Sequence, residues 1–202
     1  MTGSINKLWG SSSNDLYAVG NNGNIAHYQN ANWTKIESET ALPINDIWGV
    51  NDNGKTKIFA VASNIYNFQD KKILSIGSSG VTELSNTGLP LDLGSIWFSN
   101  TFNSYVGGDG LYVKYYGQND WHRIELPTYF IFSIRGNGLN DMIVCGGLGY
   151  IGHFNGSTWI NYLENGIGEI QGNYYSSAIK GNKFVAVGGI VGGKAIAIIG
   201  SR

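Results

Sequence analysis

Charge is scarce in this chain. Asp, Glu, Lys and Arg make up 13% of it, roughly half the usual share, and the net charge is −1. Bulk charge therefore draws in no polyanion, which excludes nucleic acid as an electrostatically recruited partner. A single Cys, Cys145, excludes a disulfide within the chain. Three Pro residues exclude a Pro-rich linker. Glycines break the most apolar segment, 184–199, so no run reaches the ~18 residues of a membrane span. Met1-Thr2-Gly3-Ser4 lacks the charged stretch and apolar core of a signal peptide. No segment keeps an i, i+3, i+4, i+7 apolar pattern over three turns, so a helical fold is excluded as well.

What is present is repetition. Hydrophobic residues reach 42%, enough for a core, and 30 Gly mark many tight turns. A small-or-aromatic residue, then Val or Cys, then a small residue, recurs as Ala18-Val19-Gly20, Ala60-Val61-Ala62, Tyr105-Val106-Gly107, Val144-Cys145-Gly146 and Ala186-Val187-Gly188. The third positions lie 42, 45, 39 and 42 residues apart. A strand-rich period of this length is the signature of propeller blades, each a small sheet unable to bury its faces alone. Cys145 takes a Val position and reads as a small buried hydrophobe.

The first repeat reads as four strands: 5–10, 16–20, 24–28 and 33–36, joined by Asn- and Gly-rich turns. Ile44-Asn45-Asp46-Ile47-Trp48-Gly49 restates Ile5-Asn6-Lys7-Leu8-Trp9-Gly10. Leu93 to Trp97 and Ile131 to Gly136 restate it more loosely. Outer strands return around Trp121 and Trp159, and as Val81 to Leu84 after a longer excursion, 64–72. The expected fold is all-β: a single propeller domain over 1–202, with blades near 5–43, 44–92, 93–130, 131–169 and 170–202. The blades are four-stranded and antiparallel, but the last lacks its outer strand. Its free edge near 194–200 predicts ring strain or contact with another chain, including self-association.

The Ile-x-x-Ile-Trp-Gly phrase, followed by Ala-Val-Gly, Gly-Asn-Ile-Ala-His-Tyr and Trp, resembles the repeats of bacterial propellers from extracellular or surface-associated proteins. These are relatives of the Asp-box (BNR-like) and photosystem assembly-factor propellers. Asn155-Gly156-Ser157-Thr158-Trp159 keeps the Gly and Trp of the Asp-box pattern but not its Asp. The arginine triad of sialidases, which share the broad fold, is not evident. By blade number the chain is similar to the five-bladed tachylectin class of sugar-binding lectins. The resemblance implies a secreted, periplasmic or cell-surface parent, of which this chain is the C-terminal part or an engineered piece.

Catalytic signatures are sparse. No Gly-x-Ser-x-Gly elbow, Walker loop or His-Glu-x-x-His occurs. His27 and His153 hold equivalent positions in different blades, which sets them apart and predicts packing beside an outer Trp rather than a shared metal. No cofactor, metal or catalytic residue is expected. Trp9, Trp48 and Trp97 read as inner-strand core, and Arg135 stands where those blades have Trp. It either lines the central channel, with an anion as one occupant, or snorkels to solvent. Candidate ligand-binding residues lie on one open face: Asn22 and Asp109 in turns, Tyr66, Tyr129 and Tyr175 in loops, together with Arg135. Phe68, Phe130 and Tyr174 accompany them. Aromatic rings beside amides and carboxylates suit sugar, and the competing reading is that these rings fill gaps between blades. The expected function is a non-enzymatic binding or scaffold domain with a protein or carbohydrate ligand. The alternatives are a glycan-binding lectin and, behind it, a hydrolase using Asp109 and Asp141.

Overall fold

A computed structural model describes residues 3–52, 54–65, 67, 70–99 and 103–201. Five antiparallel sheets follow one another along the chain. The first holds β1 (Ile5–Ser12), β2 (Asp15–Gly20), β3 (Ile25–Gln29) and β4 (Asn32–Ile36). The second holds β5 (Ile44–Asp52), β6 (Lys55–Ser63), β7 (Lys71–Gly77) and β8 (Gly80–Leu84). The third is β9 (Leu93–Phe98), β10 (Ser104–Gly108), β11 (Gly110–Lys114) and β12 (His122–Ile124). The fourth is β13 (Ile131–Gly138), β14 (Asp141–Gly146), β15 (Ile151–Phe154) and β16 (Trp159–Asn161). The last has three strands only, β17 (Gly172–Lys180), β18 (Lys183–Ile190) and β19 (Lys194–Ser201). The first strand of each sheet packs on the first strand of the next, so β1, β5, β9, β13 and β17 gather around one axis. This is a β-propeller of five blades. The excursion in the second blade separates its second strand from its third.

Alternation along each strand sends one row of side chains to the preceding blade and the other row to the following blade. Val19, Ile25 and Trp9 meet Ile47, Ala60 and Leu74 between blades 1 and 2. Val61 and Ile73 meet Ile96 and Val106 between blades 2 and 3. Trp97 and Leu111 meet Ile134 and Val144 between blades 3 and 4, and Ile143 and Ile151 meet Phe184 and Ala186 between blades 4 and 5. Full burial of each large side chain contributes about 1.5–3 kcal/mol. Among the described residues, no apolar cluster joins blade 5 to blade 1.

The Trp-Gly dipeptide now has a cause. At two joints the Trp of one blade lies over the Gly that follows the equivalent position in the next blade, whereas Trp48 meets Phe98 there and donates to its carbonyl at 2.9 Å. A Cβ on Gly49 would sit 2.5 Å from the Trp9 ring, and one on Gly136 would sit 2.7 Å from the Trp97 ring. Only glycine admits these rings so close to the backbone.

A bulge near the start of each inner strand inserts one extra residue: Asn6, Asn45, Gly94, Phe132 and Tyr175. The next position faces the axis. There Asp46 Oδ2 accepts from the Ile96 N–H at 3.0 Å, Ser95 Oγ from the Ile134 N–H at 3.1 Å, and Ser133 Oγ from the Ser177 N–H at 3.1 Å. Blades 2, 3 and 4 thus each fasten the inner strand of their successor. Between the end blades, Lys7 Nζ donates to Ser176 Oγ at 3.4 Å.

Candidate binding face

The bulges also re-aim side chains, a use to which edge and rim bulges are commonly put. In blades 1 and 2 the inserted residue is Asn, and its amide donates to the first residue of a later inner strand. Asn6 Nδ2 reaches the Ile44 carbonyl at 3.0 Å, and Asn45 Nδ2 reaches the Leu93 carbonyl at 2.8 Å. In blades 4 and 5 the inserted residue is aromatic, and the two rings meet. Phe132 packs edge-on against Tyr175 with centroids 5.2 Å apart, and Phe130 lies 4.6 Å from Phe132. Next to them Tyr129 stacks on Tyr150 at 4.9 Å, and its hydroxyl donates to Glu169 Oε1 at 3.3 Å. Asp109 bridges to Phe130 through the backbone, and Gly147 bridges to Asn173 in the same way. Asn173 Nδ2 donates to the Tyr175 hydroxyl at 3.2 Å.

The result is an aromatic strip across blades 3, 4 and 5 at the end of the axis where the second-to-third-strand turns lie. It brings together Asp109, Tyr129 and Tyr175. Asp109 is exposed and Tyr175 is 53% exposed. Beside Tyr175 opens a groove of about 890 Å³ lined by Asn173, Val187, Ile190 and Ala197. Asn22 is exposed in the corresponding turn of blade 1, at a φ of 59°. It stands apart from the strip, its amide nitrogen beside Gly3, where the Asn21 and Asn24 side chains also converge. Tyr66 and Phe68 lie outside the described residues. Tyr174 points the other way: it is buried against blade 4, and its carbonyl accepts from Cys145 Sγ at 3.6 Å. Ordinary strand alternation sends these adjacent tyrosines to opposite faces.

Arg135 is neither open to an anion nor extended to solvent. Its side chain is 8% exposed and that of Asp46 3%, and the two form a bidentate pair. Nη1 and Nη2 donate to Asp46 Oδ2 and Oδ1 at 3.1 and 2.9 Å, and Nη1 also donates to the Ile134 carbonyl at 2.6 Å. The guanidinium lies 4.9 Å over the Trp48 ring. Burial alone would push the Asp46 carboxyl up. Arg135, Lys7 and Ser95 outweigh it and hold the group below the usual carboxylate range. Lys7 is held low by its own burial and by Arg135.

The histidines pack differently from the expectation of an outer Trp. His27 Nε2 pairs with Asp15 Oδ1 at 2.6 Å, and its ring stacks on Tyr17 at 4.1 Å. His153 Nε2 pairs with Asp141 Oδ1 at 3.0 Å in the buried equivalent of that site. The carboxylate starts the second strand and the imidazole lies diagonally across on the third, where His27 faces Tyr17 and His153 faces Ile143, within reach of a long side chain. Asp109 and Asp141 lie at opposite ends of their blades, one before β11 and one opening β14. They cannot form the two-carboxylate cleft of a glycosidase, whose groups stand roughly 5–9 Å apart. Among the described residues, no group of three His, Cys, Asp or Glu side chains could hold a metal ion.

No protein-family profile and no curated protein sequence matches the chain. Solved structures do match. YCF48 from Cyanidioschyzon merolae superposes with a TM-score of 0.67 at 15% identity, covering 98% of this chain and 69% of that one. YCF48 bound to D1 peptide gives 0.66 at 14%, covering 93% of this chain and 62% of that one. The GH74 enzyme of Niastella koreensis gives 0.64 at 13%, covering 98% of this chain but 36% of that one. This chain therefore spans under two thirds of the peptide-bound YCF48 and about a third of the glycoside hydrolase. At such identities the likeness is one of fold: the chain is a propeller similar to the photosystem assembly factor YCF48 and to other propeller domains.

Proposed function

We propose that the chain is a non-catalytic, protein-binding scaffold domain that takes a peptide segment along the aromatic strip of blades 3 to 5. The strip itself carries the reading. Its rings are turned on each other, Tyr129 on Tyr150 and Phe130 on Phe132 on Tyr175, so their faces are largely spent. Sugar recognition needs a free aromatic face. A peptide instead uses ring edges, an exposed carboxylate such as Asp109 and a groove beside them. The peptide held by the propeller YCF48 supports this choice. The low charge of the chain supports a setting outside the cytoplasm.

One observation favours the second reading, a glycan-binding lectin. Tyr175 keeps half its surface exposed next to the Asn173 amide at the groove of about 890 Å³. Parallel screens on immobilised peptides and on a glycan array separate the two. Peptide binding lost in Tyr129→Ala is the expected result. Glycan binding lost in Tyr175→Ala, with no peptide bound, would replace the scaffold by the lectin.

A further inference from the structure

Blades 2 and 3 meet over two ammonium groups set on aromatic rings. Lys57 Nζ lies 4.7 Å from the Phe59 ring centroid and 5.4 Å from that of Phe98. Lys114 Nζ lies 5.2 Å over Trp121. All three distances fall within the ~6 Å over which a ring face attracts a cation. The joint between blades 3 and 4 keeps aromatic rings but drops both cations. Tyr105 stands across from Trp97 as Phe59 stands across from Trp48, so Asn103 holds the place of Lys57. Ser104 and Met142 each precede the residue across from the Trp position, Trp97 and Arg135, and their third-strand partners are Lys114 and Phe154. Phe154 thus holds the place of Lys114. At this joint a cavity of about 280 Å³ opens between Tyr105, Tyr115, Phe154 and Trp159, with buried Val113 and Met142 also in its wall. Among the described residues, that wall carries no carboxylate, ammonium, guanidinium or imidazole.

We infer that this cavity binds a quaternary ammonium ion, supplying from outside the kind of cation that the chain supplies for itself one joint earlier. Four rings with no competing charge suit such a guest, because each ring presents a negative face. An anion meets those same faces with repulsion, and a neutral polar molecule finds few hydrogen-bonding partners beyond the two tyrosine hydroxyls and the Trp159 indole. The volume is below the ~300–1,000 Å³ of sites for drug-sized ligands, so the guest is a compact head group. Full alkylation follows from the neighbouring joint. Burial and the nearby Lys114 hold the Lys57 ammonium below the usual lysine range, so an amine in such surroundings gives up its charge more readily. A quaternary nitrogen has no proton to give up, and its alkyl groups match the apolar wall. Tyr105 lies near the start of β10, whereas Asp109 follows the end of that strand. The cavity is therefore remote from the aromatic strip and independent of the peptide-binding reading.

Choline is the probe, and 3,3-dimethyl-1-butanol, in which carbon replaces the charged nitrogen, is its neutral match. Each is titrated into the isotope-labelled chain, and the Trp159 indole N–H is followed by NMR. Saturable shifts with choline are expected, with the neutral match binding roughly tenfold more weakly or worse. Tyr115 is 46% exposed, so its replacement leaves the core intact. Tyr115→Leu should weaken choline about tenfold, whereas Tyr115→Phe, which keeps the ring face, should bind as the parent does. Asn103→Lys restores a tethered ammonium at the place of Lys57 and should displace choline. Shifts that never saturate overturn the inference. So does equal binding of the neutral match, which would mark a merely apolar cavity, and so does choline binding indifferent to Tyr115→Leu or to Asn103→Lys.

Discussion

Replacing Asp46 by Ala should be the most damaging single change at the axis. The carboxylate accepts four hydrogen bonds: two from Arg135 at 2.9 and 3.1 Å, one from Ser95 Oγ at 2.5 Å and one from the Ile96 N–H at 3.0 Å. Its loss strands a guanidinium that is 8% exposed, and solvent cannot rehydrate it without opening the joint between blades 2, 3 and 4. Breaking one side of a buried ion pair costs about 3–5 kcal/mol. The Ile134 carbonyl and the Trp48 ring keep hold of Arg135, which argues for the lower half of that range. Against a typical total of 5–15 kcal/mol, the variant should lose a large share of its stability. Urea unfolding should show a lower midpoint with an unchanged slope, and the melting temperature should fall by roughly 6–16 °C. The double variant Asp46→Leu with Arg135→Leu should recover much of the loss, because no charge is left buried. A cost below about 1 kcal/mol for Asp46→Ala would refute the argument that the pair bears on stability.

Further outcomes follow from the same geometry. The Asp46 carboxyl is held below its unfolded value, so the folded state binds fewer protons than the unfolded state at mildly acid pH. Its contribution is complete above the ordinary carboxylate range and is lost as pH falls through the lowered folded value; acid titration of stability should therefore flatten in Asp46→Asn. Gly49→Ala should cost about 1–3 kcal/mol in urea melts, because the new methyl overlaps the Trp9 ring, while Trp9→Ala with Gly49→Ala should cost less than the sum of the two singles. Burial pushes the Cys145 thiol up to about 12, so a thiol reagent should leave it unmodified in the folded chain and react only after denaturant is added.

The parts of this architecture that were legible in the sequence are those a repeat writes several times. A Trp and a following Gly recur because the Trp9 and Trp97 rings each lie over a glycine of the next blade, and the strand phrase Ala-Val-Gly recurs because its rows face blades on both sides. The three strands of the fifth sheet were legible for the same reason, as a recurrence of the first three strands of the repeat. What stayed hidden is written once. Arg135 and Asp46 are 89 positions apart and come together only through the ring, so Arg135 looked like a free cation. The Asp-His pairs were missed because two blades alone carry them, each across a strand register that spacing does not announce. The aromatic strip was half visible: Tyr129, Tyr175 and Asp109 were singled out, but Phe132 was not. Its exposure depends on a bulge, and the available signal was the Asn at the same place in blades 1 and 2.

Among the described residues, the Lys7–Ser176 hydrogen bond spans the seam between blades 1 and 5 without an apolar cluster, so apolar packing runs as a line from blade 1 to blade 5. In a closed propeller every blade has two neighbours and the sheets unfold together. Here the middle blade is clamped on both sides, with β9 and β10 buried along their whole length, whereas β1 and β19 are largely exposed. Cooperativity in such stacks is a sum of nearest-neighbour terms. Amide hydrogen exchange should therefore be slowest in β9 and β10 and quicken toward both ends.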